Sequence, residues 1–212
     1  MKPQTTTVQL MVASAATALI DSTEQLCALD SVAGDGDHGF AMAAASRAIL
    51  ARLDTGIPDS LVALIDVVGH EFAQVGGSMG ALLSVAIEAV RDALPNLESV
   101  GGPRLVNDLL SSAEDAITDF GGAHPGDKTI VDAIDQARRA ASNAHPGEPL
   151  GECLRRIADA AGAGAESTSD MPARIGRASR LGDIALGSPD AGATSFAIVM
   201  DAFATAYANG EE

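Results

Sequence analysis

The sequence predicts an all-α protein, a single-domain antiparallel bundle or barrel of eight helices, and three observations predict it. Apolar residues make up 47% of the chain, yet Ala, Leu, Ile and Val supply nearly all of them, with 3% aromatic residues and no Trp. Alanine has the highest helix propensity and strands favour aromatics, so this composition leans helical. Apolar positions recur with helical spacing in eight segments, and no stretch alternates convincingly with period two. Short turn signals separate the segments, and no linker is long or polar enough to divide the 212 residues into two domains.

The first segment runs roughly from Thr7 to Leu29. The second follows Gly39, through Phe40, Ala43, Ile49, Leu50 and Leu53. The third begins at Asp59, read as its cap, and continues through Leu61, Leu64, Ile65, Val68 and Phe72. The fourth follows Gly80, with Leu82, Leu83, Ala86, Ile87 and Val90. The fifth spans about Pro103 to Phe120. The sixth follows Asp127, itself a candidate N-cap, with Ile130, Val131, Ile134 and Ala137. The seventh runs from about Leu150 to Met171. The eighth follows Asp190, again a candidate cap, with Phe196, Met200, Phe203 and Tyr207.

A formal net charge of −16 repels nucleic acid and anionic lipid and attracts divalent cations, so neither of the first two is expected as a partner. The two cysteines, Cys27 and Cys153, have no CxxC or CxxH neighbour and read as buried thiols, consistent with a cytoplasmic setting. The opening segment has a single basic residue, and its apolar run is interrupted by Gln9, Ser14 and Thr17. It therefore reads as an amphipathic helix and not a signal peptide. No window of about 18 apolar residues occurs, so no membrane span is expected.

The loops divide into two kinds. Those after the second, fourth and sixth segments are ordinary. Those after the first, third, fifth and seventh read AGDGDHG, VGGSMG, GGAHPGDKT and GRASRLGDIALGSPDAG. In an antiparallel array these four lie at one end, together with the N-termini of the even-numbered helices. Free N–H groups at helix N-termini make an anion site, and glycine lets an anion approach the backbone. Gly34-x-Gly36-x-x-Gly39 fits a dinucleotide fingerprint, but no apolar strand precedes it, and Asp30, Asp35 and Asp37 stand where phosphates would sit. Carboxylates face phosphates productively when divalent metal lies between them, as Mg²⁺ usually does. The loops therefore read as a metal–nucleotide site at one end of a helical array. The EF-hand spacing is absent, as are the Walker A loop, the protein-kinase elements and the GxSxG elbow.

Single residues leave alternatives open. His38 is a phosphate or base contact, or only a loop residue. Ser78 donates to a phosphate, caps the fourth helix, or both. Lys128 neutralises phosphate or is solvated. Arg177 grips an anion bidentately or pairs with one of the many acids. His70, His124 and His145 share no spacing and read as surface or loop histidines.

Taken together, GDGDHG, GGSMG, GDKTI and GRASRLGDIALGSPDAGATS resemble, in order, the GD(G/A)DHG, GG(T/S/A)SG, GDKTM, GRASYLGERS and DPGATS motifs of the L subunit of dihydroxyacetone kinases. The resemblance covers about Leu29 to Met200. It implies an eight-helix barrel that binds ADP or ATP through two Mg²⁺ ions. Asp30, Asp35 and Asp37 match the metal-binding aspartates. His38, Gly39, Ser78, Met79, Gly121, Ile130, Arg177, Asp190, Ala191 and Gly192 match positions around the nucleotide. The sequence departs from the family at Ala41 (often Asn), Met79 (a small residue), Ile130 (Met), Arg180 (Tyr) and Ala191 (Pro).

The resemblance further implies phosphoryl transfer to a small ketose held by a separate K subunit, covalently through a histidine. Dihydroxyacetone is the default acceptor, and a four-carbon ketose such as erythrulose is an alternative. The donor is exchangeable ATP, or bound ADP recharged by a phosphohistidine protein of the phosphotransferase system. A non-catalytic nucleotide-binding regulator is a further alternative. No sugar pocket, general base or catalytic side chain is evident in this chain.

Overall fold

The computed structural model describes residues 5–56, 58–97, 102–145 and 147–210, and among them are nine α-helices and no strand. These are α1 (Thr5–Asp21), α2 (Thr23–Asp30), α3 (His38–Asp54), α4 (Leu61–Phe72), α5 (Gly77–Ala93), α6 (Gly102–Gly121), α7 (Ile130–Ser142), α8 (Leu150–Ser167) and α9 (Ala191–Gly210). Short 3₁₀ turns cover Leu94–Leu97, Thr168–Asp170 and Ala178–Ala185.

The expected first helix is thus divided at Ser22. It is a bend more than a break, because Ser22 N still donates to Ala18 O and Leu26 N to Ser22 O, both at 3.0 Å. The Thr23 hydroxyl donates to Ile20 O at 2.6 Å, a side-chain bond to the preceding turn of the kind that bends helices. The eight long helices α1 and α3 through α9 then pack each against the next in chain order, and α9 returns to α1, which closes the ring. The bent end, α2, lies on α3 and α9. The eight segments that periodicity predicted thus close into the barrel that the resemblance implied, with α2 as the bent continuation of the first member.

Helix starts differ from expectation where a neighbouring hydroxyl offers the better cap. Ser60, not Asp59, caps α4 by accepting from Ala63 N at 3.1 Å. Thr129, not Asp127, caps α7 through a reciprocal capping box with Asp132. Asp127 instead accepts from His124 N and tightens the preceding turn. The α5 helix begins at Gly77, before the expected Gly80, so Ser78 lies inside its first turn and is not its cap. The α8 helix stops at Ser167, short of Met171, and continues only as a 3₁₀ turn.

Small residues set the closest approaches. Gly164 on α8 lies so near α7 that a Cβ would sit 2.8 Å from Ala133 Cα. Gly39 on α3 lies nearer still to α2, with a hypothetical Cβ 2.0 Å from Thr23 O. The α7 helix is enclosed almost completely, with Val131, Ala133 and Ala137 fully buried. Even its charged Asp135 is buried, where Arg138 and Arg139 pair with it and Arg138 reaches across to Glu114 on α6. A buried charge met on several sides in this way is tolerated where a lone one would not be. Cys153 is buried and Cys27 half-buried, and both are free thiols. No helix among the described residues is long and apolar enough to cross a membrane.

Candidate functional site

The N-termini of α3, α5, α7 and α9 converge on one cleft of about 550 Å³. Its wall combines the α2–α3 loop, the first turn of α5, Lys128 to Ile130 ahead of α7, Ile175 to Ala178, and Ser188 to Ala191 at the start of α9. A groove of about 830 Å³ runs elsewhere, between α2, α8 and α9. Its arginine, Arg155, is already paired with Asp159 and Asp201, and of the four Gly-rich loops only Pro189 reaches it. The chemistry is therefore concentrated at the loop pole, where four sets of free N–H groups meet.

Three carboxylates form one rim of the cleft. One oxygen from each of Asp30, Asp35 and Asp37 lies within 4.8 Å of the others. The chain achieves this by a tight turn: Gly34 N donates to Asp30 O at 2.6 Å, and Gly36 takes φ +76°, a left-handed value that suits glycine. Asp30, the last residue of α2, accepts from Asp37 N at 3.1 Å and His38 N at 3.4 Å, so it caps α3 from outside. Asp37 occupies the N-cap position itself but makes no side-chain cap bond, which leaves its carboxylate to the rim. Arg177 donates to Asp35 and holds that carboxyl below the ordinary range. Burial, followed by repulsion from Asp35 and Asp30, pushes the Asp37 carboxyl up. Three hard oxygen donors with one proton affinity already raised suit a divalent cation such as Mg²⁺.

His38 is buried, and burial lowers its pKa, which favours the neutral ring. Its Nε2 shares a hydrogen bond with Ser195 Oγ at 3.2 Å, and that hydroxyl also lies 2.9 Å from Gly192 O. Thus His38 ties the first turn of α3 to the first turns of α9.

The opposite wall is built around Lys128. Its side chain is buried, and its ammonium donates to Ser188 O at 2.6 Å and to Thr168 O. The solvated reading gives way, because the side chain is buried and two of its three N–H bonds go to protein carbonyls, while Lys128 still lines the cleft. Burial lowers its pKa, against the pull of Asp190, Asp132 and Asp170. Asp190 accepts from Ala193 N at 2.8 Å, capping α9 as expected. Burial pushes its carboxyl up to about 6, opposed by the Ala193 N–H and by Lys128.

Of the thirteen residues expected at the site, Asp30, Asp35, Asp37, His38, Ser78, Met79, Ile130, Arg177, Asp190 and Ala191 line the cleft. Gly39, Gly121 and Gly192 do not, and each instead makes room behind the wall. Gly39 seats α3 on α2. A Cβ on Gly121 would meet Leu82 Cδ2 at 2.8 Å, and one on Gly192 would meet Met79 Cε at 3.1 Å. Among the departures, Ala41 lines the cleft, whereas Arg180 is exposed outside it. His70, His124 and His145 are exposed, as expected. Sequence reasoning missed Ser195 and Thr168. Ser195 stands in the quoted GATS text with no assigned task. Thr168 is fully buried and accepts from Asp190 N at 2.8 Å. Only the fold brings either of them to this place.

The family model described as the DAK2 domain matches residues 32–205. An L-erythrulose kinase of Pectobacterium atrosepticum is 35% identical over 87% of this chain and 32% of its own length. A triokinase/FMN cyclase of Homo sapiens is 33% identical over 87% of this chain and 32% of its own. The crystal structure of the dihydroxyacetone kinase from C. freundii in complex with AMP-PNP and Mg²⁺ aligns with a TM-score of 0.75 and 31% identity, over 97% of this chain and 34% of that one. The chain therefore spans about a third of the length of the relatives it matches.

Proposed function

The chain belongs to the DAK2 domain family, and from that membership we propose that it is the nucleotide-binding part of a dihydroxyacetone-type kinase. It takes ADP or ATP with Mg²⁺ in the cleft, and a partner holds a small ketose. One observation carries this reading: the N-termini of α5, α7 and α9 share one cavity with a triple-carboxylate rim built on the start of α3. Neither half explains the other unless a polyphosphate and a divalent cation lie between them.

Asp30, Asp35 and Asp37 would hold the metal, expected as two Mg²⁺ ions. Bound there, Mg²⁺ supplies neutralisation of charge on the transferring phosphoryl group. The chain's own residues bind and orient. N–H groups in the first turns of α5 and α9, near Ser78, Met79, Ala191 and Gly192, offer donors to phosphate oxygens. Ile130, Met79, Leu82 and Ile175 give the cleft an apolar wall suited to a base, and His38 and Gly121 stay as nucleotide-proximal positions. Arg177, exposed beside Asp35, is free to trade a carboxylate for a phosphate, a ligand its planar fork also fits. Phosphoryl transfer depends chiefly on such positioning and electrostatics.

The acceptor comes from outside this unit. No side chain in the cleft is placed as a sugar pocket, and the relatives carry some two thirds of their length elsewhere. Exposed apolar side chains belong to the same segments that line the cleft: Val32 and Phe40 flank the acidic turn, and Leu181, Ile184 and Leu186 follow Arg177. Such a collar suits docking of a K-type sugar-binding partner in the cytoplasm. The presence of AMP-PNP in the C. freundii structure favours exchangeable ATP over ADP recharged by a phosphohistidine protein. Relatives named erythrulose kinases favour a four-carbon ketose over dihydroxyacetone as a second reading of the acceptor.

Calorimetry tests the first half: ADP binds with Mg²⁺ and fails to bind in chelator. Undiminished affinity without the metal overturns the site. Reconstitution tests the second: the purified chain phosphorylates neither dihydroxyacetone nor erythrulose until a K-type subunit is added. Turnover of either sugar by the single chain overturns the division of labour, and no turnover with the subunit favours a regulatory role.

A further inference from the structure

Lys128 has the left-handed backbone, φ +61°, that every other described positive-φ position gives to glycine. A lysine there is strained and persists only if its surroundings over-determine it. The surroundings are three loops. Lys128 itself precedes α7; its ammonium donates to Thr168 O, just after α8, and to Ser188 O, just before α9. Further bonds run between the same segments: Arg174 N to Asp127 O at 3.2 Å, Gly187 N to Ser169 O at 2.9 Å, and Asp190 N to Thr168 Oγ1 at 2.8 Å. Asp190 and Asp132, which cap α9 and α7, attract the same ammonium.

We propose that Lys128 is a positioning residue of this site: its buried ammonium latches the loops that open α7, follow α8 and open α9, and so sets the N–H groups at the starts of α7 and α9 in register for a polyphosphate. This rests on the nucleotide reading above, and Lys128 touches no substrate in it. A neutral side chain would take away the ammonium's bond to Ser188 O, leave Thr168 O with only the Met171 N–H at 3.1 Å, and remove the cation that attracts Asp190 and Asp132. Each loss loosens the loop it belongs to. Lysine suits the task better than arginine, since a compact ammonium directs its donors to separate carbonyls while a planar fork favours one bidentate acceptor.

The test compares the full chain with Lys128→Met and Lys128→Arg. One readout needs no nucleotide: hydrogen exchange at the Gly187 and Asp190 amides, which bridge the loops, with Ile49 and Leu64 as distant references. The Met variant is expected to exchange the two loop amides about ten- to hundredfold faster and the references unchanged. Calorimetry and ³¹P spectra with Mg²⁺ and ADP give the second readout. Affinity is expected to fall about tenfold or more, with the bound β-phosphate resonance displaced, and Lys128→Arg restores part of both. The Arg variant keeps the cation and supplies folded protein if the Met variant does not accumulate; its loop exchange then lies between wild type and complete opening. Wild-type exchange at Gly187 and Asp190 in the Met variant overturns the latch, and so does an unaltered phosphate spectrum with unaltered affinity. A wild-type chain that takes up no ADP defeats the reading of the site, whereas the amide exchange judges the latch separately.

Discussion

On the α2–α3 side of the cleft, three carboxylates lie within 4.8 Å of one another, and two of them are exposed to solvent. On the α7–α9 side, one ammonium is buried among backbone carbonyls and two capping carboxylates. The first wall concentrates like charge in a turn of eight residues and leaves it under-compensated, since one arginine, Arg177, donates to Asp35 and attracts Asp37 and Asp30 only through space. The second draws one ammonium, two carboxylates and two carbonyls from positions 128, 132, 190, 168 and 188 and sets them against one another. Exposed, unbalanced charge is available to a ligand, whereas buried charge already met by hydrogen bonds is available to the fold. One cleft thus holds a wall of largely unpaired carboxylates and a wall whose ammonium is already hydrogen-bonded.

Removing charge from the acidic wall should break this contrast most completely. Replacing Asp35 and Asp37 together with Asn is expected to abolish detectable Mg²⁺-dependent ADP binding in calorimetry while Tm stays level or rises, because like charges are relieved. A protein that keeps its affinity, or that melts early, would make the rim structural instead.

The next largest effect belongs to the balanced wall. The Asp190 carboxyl has its folded pKa raised to about 6 from an ordinary 3.8, so the fold favours the protonated form. Stability from this group is complete below about pH 4, is lost progressively between pH 4 and 6, and is flat above, a span of up to about 3 kcal/mol. Urea unfolding of wild type and Asp190→Asn at pH 4 and pH 7 checks the sign. The Asn variant should gain on wild type as pH rises, and a pH-independent difference removes Asp190 from the balanced wall.

The smallest change is expected at Arg177, where the two walls meet. Its pair with Asp35 is exposed, and exposed pairs contribute little to stability. Arg177→Gln should leave Tm within about a degree of wild type and weaken ADP binding about tenfold. A large drop in Tm would mean that the Arg177 segment braces the fold.

The acidic wall was legible in the sequence because its spacing is local. GDGDHG fixes a glycine turn that gathers acids within a few residues, and helical periodicity then places that turn at the same end as GGSMG, GDKTI and SPDAG. The eight helices were legible for the same reason, since apolar spacing along one segment reports which face is buried, whereas their closure into a ring came only with the family resemblance. Caps were less legible, since Asp59 and Asp127 stand beside Ser60 and Thr129, and which neighbour caps depends on backbone angles that the residue type does not dictate.

What the sequence determined by itself is therefore the helical class, the pole at which the loops gather and the cation-seeking character of that pole, since all three follow from short-range spacing and residue chemistry. What only the tertiary structure decided is which groups are already satisfied. Lys128 changes from a free cation to a buried latch because Thr168 and Ser188, 40 and 60 residues away, present carbonyls to it. His38 acquires its hydrogen-bond partner in Ser195, 157 residues on. Gly39 turns out to serve helix packing, because Thr23 O lies where its side chain would be. Hydrogen-bond satisfaction acts over about 3 Å, and long-range proximity on that scale arises only when the ring has closed.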